Sequence, residues 1–238
     1  MKKAKIVKNK KEYKGIHKGE RCFILGNGPS LNKTNLDLLR DEYTFGCNKL
    51  SLLYEKRNWH PSFYVMVSSD IYRYDWLLSA NKNVELEIPC FFNSDSVDIN
   101  STTKSFFNDC KKLDHVYMIK STGGRAGYPY PDEYWSNNPM ETATKWGTIL
   151  LTCIQLAAYM GFKEIYLLGC DLGFGPTTSN FDPKYNPIKY DPLGDIHSHE
   201  AHMLAKRMTE NVGVKIFNAS VGGALHVYPR KKLEELFV

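Results

Sequence analysis

The sequence has no apolar run near the ~20 residues that a membrane-spanning helix needs. Its start, MKKAKIVKNKKEYKG, has the basic flank of a signal peptide but no apolar stretch behind it, which argues against secretion. The six cysteines (22, 47, 90, 110, 153 and 170) form no Cys-x-x-Cys pair. That spacing argues against a zinc site and against a disulfide framework, and reads as small core residues in a reducing cytosol. There is no Gly-x-x-x-x-Gly-Lys-Ser/Thr loop and no Gly-x-Ser-x-Gly elbow, so neither a P-loop nor an α/β-hydrolase triad is supported. No Asp-x-Asp pair occurs either; enzymes that grip a sugar diphosphate through Mg²⁺ commonly carry one, so its absence points to a metal-free site or a monophosphate donor. Internal repeats and a domain-splitting linker are also missing.

What is present suffices for a folded body. The 238 residues are 42% hydrophobic, 13% aromatic and 24% charged, enough for a sizeable core and unlike a disordered chain. Of the net charge of +5, residues 1–20 supply the excess, with eight lysines against Glu12 and Glu20. The remainder is close to neutral and shows no basic stripe with interleaved aromatics, so nucleic acid is not the expected partner. Residues 1–20 read as a basic arm, either a solvated tail or a peripheral contact with an anionic membrane surface. The expected location is cytoplasmic, at the inner face of the membrane if the arm makes that contact.

Seven short apolar runs fit strands buried on both faces: 21–26, 43–47, 63–67, 88–92, 115–119, 164–169 and 214–217. Helix-like segments at 33–40, 70–81, 101–111, 143–160, 199–212 and 229–237 alternate with them. This order predicts one α/β domain over 21–238, with a Rossmann-like, mostly parallel central sheet. In the helix of 143–160, Thr144, Lys145, Thr148, Thr152 and Gln155 form a narrow polar stripe, and Gly161 suits the left-handed residue that closes it. Two segments dense in Gly, Pro, Asn, Asp and aromatics, 121–139 and 173–196, are expected to be ordered loops. The second has the length and aromatic content of a lid.

Candidate site residues cluster at strand ends, where α/β sheets bind ligands. The first strand runs into Gly26-Asn27-Gly28-Pro29-Ser30-Leu31, whose glycines permit a sharp turn with N–H groups close to an anion. Leu31 stands where the dinucleotide fingerprint needs glycine. The second strand ends in Cys47-Asn48, the third in Ser68-Ser69-Asp70, and the sixth in Gly169-Cys170-Asp171. Ser69 and Asp70 also fit a helix N-cap, whereas the Asp171 carboxylate is suited to accept hydrogen bonds from a ribose or sugar hydroxyl. Three histidines follow in Asp195-Ile-His197-Ser198-His199-Glu200-Ala-His202. A general base is a better reading of them than a metal site, because imidazole takes a proton near neutral pH. His202 is expected to be structural.

The set ILGNGPSL (24–31), FGCN (45–48), GFKEIYLLGCDLGF (161–174) and IHSHEAH (196–202) resembles the bacterial sialyltransferases that use CMP-activated sialic acid. It is also similar to the domain shared by MptE-like pterin diphosphokinases and Maf glycosyltransferases. The resemblance covers most of residues 21–220 and implies a Rossmann-like sheet with a lid. It implies that Asn27, Gly28 and Ser30 bind the nucleotide, that Asn48 lies by the phosphate or donor sugar and Asp171 by the nucleotide, and that His197 is the base, with His199 as the other candidate; Gly26, Gly169, Ser69 and Asp70 join the nucleotide- and donor-binding candidates from their place at strand ends. The sialyltransferases carry tyrosines after their Gly-x-Asp, where Gly173 and Ser179 stand here, and Thr-Ser-Gly ahead of the long helix, where Lys145-Trp146-Gly147 stand. Lys145, Tyr185 or Tyr190 would then compensate the leaving phosphate. The implied protein is a metal-independent glycosyltransferase without a cofactor. It would move a sugar from a nucleotide donor, preferably a CMP-linked nonulosonic acid, to a glycan or glycolipid acceptor. The Gly-x-Asp-Leu form is closer to the MptE and Maf branch. Alternatives are an MptE-like diphosphotransferase carrying pyrophosphate from ATP to a hydroxymethyl pterin, and a non-catalytic nucleotide-binding module.

Overall fold

The computed structural model describes residues 1–67, 74–96, 100–123, 130–173, 180–185 and 192–238. Its eight strands form one wholly parallel sheet: β1 (Arg21–Leu25), β2 (Tyr43–Cys47), β3 (Phe63–Met66), β4 (Cys90–Asn93), β5 (Val116–Thr122), β6 (Thr142–Thr144), β7 (Glu164–Leu168) and β8 (Lys215–Asn218). Their spatial order is β6-β5-β4-β3-β2-β1-β7-β8. The chain therefore builds outward from β1 to β6 and then returns to the other side of β1. That reversal puts a switch point between β1 and β7, the place where open α/β sheets leave a crevice beyond the carboxyl ends of their strands.

The strands are apolar throughout because both faces are covered. Ile24, Phe45, Val65 and Leu167 face the layer containing α4 (Ile149–Tyr159) and α5 (Pro192–Glu210). Phe23, Leu25 and Leu168 face the opposite side, under Leu31, Leu36 and Leu39. On that same side Tyr64 and Phe92 meet α2 (Tyr74–Glu85) and α3 (Ser101–Cys110). A short helix, α1 (Tyr54–Arg57), completes the set. All six cysteines are unpaired and buried. No helix among the described residues is long and apolar enough to cross a membrane.

All seven expected strands form, but several helical expectations need correction. Segment 33–40 is not an α-helix; two 3-10 turns, Pro29–Lys33 and Leu36–Leu39, occupy this part of the chain, the second capped by Asn35. Segment 229–237 holds only the 3-10 turn Glu234–Leu236. Of the loop expected over 173–196, residues 174–179 and 186–191 lie outside the described residues, and its last part is helical, because α5 already begins at Pro192.

The largest correction concerns 143–160. The helix starts at Ile149, and Thr142–Thr144 is an edge strand. Of the polar stripe, Thr144, Thr152 and Gln155 are buried between the two. Thr152 Oγ1 and Gln155 Nε2 donate to the Thr144 carbonyl at 2.9 and 2.8 Å, and Gln155 Oε1 accepts from the amides of Ser136 and Thr144 at 3.0 and 3.3 Å. Gln155 thus staples β6 to α4. Gln155→Leu leaves buried backbone groups unpaired and is expected to cost about 1–3 kcal/mol, read as a lower urea midpoint at unchanged slope.

Residues 1–20 are docked, not a solvated tail. Val7 and Tyr13 are buried, and Val7 exchanges hydrogen bonds with the Tyr117 hydroxyl. The amides of Gly15, His17 and Gly19 donate to the carbonyls of Tyr159, Met160 and Gly161, pairing groups that the carboxyl end of α4 would otherwise leave open. Gly161 itself has φ +92°, and the Phe162 amide folds back to the Ala157 carbonyl at 3.2 Å, as expected for that closing glycine.

Candidate functional site

A cavity of about 320 Å³ opens at the switch point. Its floor is two crossed turns. Gly26 N–H donates to the Leu168 carbonyl at 2.7 Å and Gly28 N–H to the Gly169 carbonyl at 2.8 Å. Any side chain at 26 would collide with the Gly169 carbonyl, and a Cβ at 28 would come within 2.6 Å of Asp171 Oδ2. Both positions need glycine because the two turns pack backbone against backbone.

Asp171 is buried and serves this floor. Its Oδ2 accepts the Ser30 amide at 2.8 Å and its Oδ1 accepts the Ser30 hydroxyl. Its own carbonyl takes the amides of Ala224 and Leu225. The carboxylate thus anchors the start of the turn Pro29–Lys33 from across the sheet, in addition to lining the cavity.

Asn27 and Asn48 line the same cavity. Asn27 Nδ2 lies 3.3 Å from Cys47 Sγ, whereas its Oδ1 is buried with no hydrogen-bond partner. Asn48 sits in the left-handed region at φ +53°, held by the Tyr64 and Ser79 hydroxyls on its carbonyl, and its Oδ1 is likewise buried and unpartnered. Burying a polar atom unpaired costs free energy, and among the described residues two of the side-chain oxygens left without a partner belong to residues that line this one cavity.

The amino end of α4 forms another wall. Thr148 is its N-cap, accepting from the Leu150 amide at 3.3 Å, and Gly147 through Leu150 all line the cavity. A helix start of this kind favours an anion. Gly147, at φ +67°, allows α5 to approach: a Cβ there would overlap the His197 carbonyl, and Ser198 Oγ donates to the Gly147 carbonyl at 2.9 Å.

The register of α5 decides which histidine reaches the cavity. Asp195, Ser198 and His202 share one face and line it. His197 is buried on another face, its Nδ1 2.7 Å from the Tyr130 hydroxyl, and His199 is exposed. Lys145 does not line the cavity; its Nζ donates to the Val67 carbonyl at 3.3 Å. Tyr185 does line it, while Ser69, Asp70, Ser179 and Tyr190 lie outside the described residues.

The chemistry of His202 follows from its partner. The Tyr228 hydroxyl donates its one proton to the His202 carbonyl at 3.0 Å, so its oxygen can only accept from Nδ1–H, also at 3.0 Å. The lone pair is thereby fixed on Nε2. Burial, followed by the nearby His199, pushes the imidazole pKa down to about 3. The ring is neutral at ordinary pH. On unfolding it regains a pKa near ~6.5, so the unfolded state binds the extra proton and stability is lost as pH falls from about 6.5 toward 3. His202 alone should cost about 2 kcal/mol between pH 7 and pH 5. Urea melts at the two pH values should show that His202→Gln removes this increment. His17, also pushed down by burial, adds a contribution of the same sign that the variant retains.

Thr148 and His202 line the cavity, although the sequence reading gave Thr148 no binding role and took His202 as structural. Thr148 was hidden in a stripe that looked helical. His202 required knowing where α5 starts and that Tyr228 would pack on it.

Three kinds of comparison bear on this geometry. The profile of the family described as "6-hydroxymethylpterin diphosphokinase MptE-like" matches residues 1–177. No curated protein matches the chain. Among solved structures, the fold is similar to the Campylobacter jejuni sialyltransferase CstII in complex with cytidine-5′-monophosphate, at 19% identity and a TM-score of 0.54, covering 90% of this chain and 85% of that one. It is also similar to the monofunctional α-2,3-sialyltransferase Cst-I from the same organism, at 19% identity and a TM-score of 0.55, covering 89% and 80%.

Proposed function

The chain belongs to the MptE-like family, and on that premise we propose that it is a glycosyltransferase acting from a nucleotide-activated sugar, with a CMP-linked nonulosonic acid as preferred donor. The observation that carries this reading is the pair of Oδ1 atoms, on Asn27 and Asn48, that have no partner among the described residues, on side chains lining one cavity with the start of α4 and a neutral imidazole. The fold relatives support a cytidine nucleotide, one of them having been solved with cytidine-5′-monophosphate.

In this reading the Gly26–Gly28 turn and the two asparagines hold the nucleotide, and the first-turn amides of α4 meet the phosphate. An acceptor hydroxyl attacks the anomeric carbon and gives its proton to Nε2 of His202. The bond from that carbon to the phosphate oxygen breaks, and the nucleoside monophosphate leaves with the electron pair. In-line displacement inverts the anomeric centre. The incoming phosphate raises the basicity of the imidazole by its charge. The base is thus assigned to His202 and not to His197, whose ring is directed to Tyr130. No step calls on a metal ion or cofactor. The acceptor is a glycan or glycolipid, and the docked basic segment 1–20 rests on an anionic membrane surface, which co-sedimentation with anionic vesicles tests.

Incubation with CMP-, UDP- and GDP-sugars should reveal hydrolysis or binding of one donor class; inertness toward all three overturns the reading. A second reading, transfer of pyrophosphate from ATP to a hydroxymethyl pterin, is favoured by the family's description. Strictly Mg²⁺-dependent consumption of ATP with that acceptor would establish it instead.

A further inference from the structure

The face that α5 turns to the cavity carries Asp195, Ser198 and His202. Two of the three already have work within the fold. Ser198 Oγ donates to the Gly147 carbonyl at 2.9 Å, and His202 Nδ1 pairs with the Tyr228 hydroxyl, which leaves Nε2 for a ligand. Asp195 is half-buried, and its carboxylate has no hydrogen bond or ion pair among the described residues. The other carboxylate at the cavity, Asp171, is spent on Ser30. Among the described residues no lysine or arginine lines the cavity. The side-chain charge left there for a ligand is therefore that of Asp195, and it is negative.

Such a charge is poorly matched to the phosphate or acid group of a donor, since like charges repel in a partly desolvated site. It is well matched to hydroxyl groups. An ionised carboxylate only accepts, through two oxygens, and so takes O–H donors from neighbouring carbons of one sugar ring. The buried rings of Trp76 and Tyr185 line the same cavity and give it apolar wall beside these few polar groups, the usual make-up of a small-molecule site. Asp195 and His202 are seven residues apart, which is two helical turns or about 10.5 Å along the axis. A sugar ring with its hydroxyl groups spans that gap between the two side chains.

We propose that Asp195 selects the acceptor. Its carboxylate receives hydroxyls of a neutral sugar, turns a further hydroxyl of that sugar toward Nε2 of His202, and disfavours sugars that carry an acid group. The inference rests on the glycosyltransferase reading for calling the bound sugar the acceptor, whereas the sugar contact itself requires no nucleotide.

Calorimetric titration of the full chain with the methyl glycosides of glucose, galactose and mannose, and with the corresponding uronates, tests it. The wild type should bind at least one neutral glycoside, and about tenfold or more tighter than its uronate. Asp195→Asn keeps the shape and removes the charge; it should bind that glycoside about tenfold more weakly and lose most of the discrimination against the uronate. A melting curve checks that the variant is folded, and the comparison of glycoside with uronate in the wild type needs no variant. Asp195 also sits in the first turn of α5, where a carboxylate suits the helix dipole. If that were its whole role, Asp195→Asn would keep both glycoside affinity and discrimination, which would overturn the proposal. Equal binding of glycoside and uronate by the wild type, or binding of no glycoside, would overturn it as well. Asp195-dependent glycoside binding in a protein inert toward CMP-, UDP- and GDP-sugars would uphold the sugar contact and defeat the donor reading. Donor hydrolysis without glycoside binding would do the reverse.

Discussion

An Asp171→Ala chain is expected to lose both stability and its ligand cavity. The carboxylate is the acceptor for the amide and hydroxyl of Ser30. Without it, two buried donors at the start of the turn Pro29–Lys33 have no partner, a loss of about 2–4 kcal/mol given that charged acceptors make the stronger bonds. Gly28 approaches β7 closely because that anchor is there, so the floor that carries Asn27 should loosen. Urea unfolding reads the first effect, and CMP titration the second. Asp171→Asn separates them. It keeps one acceptor oxygen and most of the shape, so it should recover stability more fully than affinity. Wild-type CMP affinity in the Ala variant would show that the carboxylate does not hold the site together.

His202→Ala should lower turnover by about 10²–10⁴-fold at saturating donor, the usual range for removing a general base. The fall belongs in kcat, since the imidazole receives a proton only as the acceptor attacks. His197→Ala is the comparison that matters. Its ring stacks on Tyr130 with centroids 6.2 Å apart and shares a hydrogen bond with that hydroxyl, so its removal should chiefly disturb the packing of residues 130–135. A large kcat loss in His197→Ala with His202→Ala near wild type would return the base to His197. Melting curves of both variants keep a folding defect from passing as a catalytic one.

Much of the fold is legible because sandwiched parallel strands leave a plain trace. Runs such as Cys22–Leu25 and Ile165–Leu168 are apolar without alternation, since each face meets a helical layer. The edge strand Thr142–Thr144 leaves no such trace. It is three residues long and rich in threonine, and its spacing to Thr148, Thr152 and Gln155 mimics one side of a helix. Periodicity reports that residues share a side; it does not report whether that side meets water or another polar strand. The site divides in the same way. Gly26, Asn27, Gly28, Asn48 and Asp171 could be placed together because each ends a strand, and parallel strands bring their carboxyl ends to one rim. The histidines are different: the sequence reading puts the base at His197 or His199 and takes His202 as structural, because which side of a helix each one occupies depends on where that helix begins. The start of α5 at Pro192 and the distant Tyr228 settle their directions.

The contact of residues 15–19 with α4 has a mechanical consequence. One end of that helix is clasped by the amino-terminal segment, and the other borders the cavity about 16 Å away at 1.5 Å per residue. Eleven stiff residues transmit axial displacement with little loss. Anything that tugs on the first twenty residues, whether a fusion partner, a protease nick or adsorption to a charged sheet of lipid, therefore pushes or pulls on the rim where the phosphate would sit.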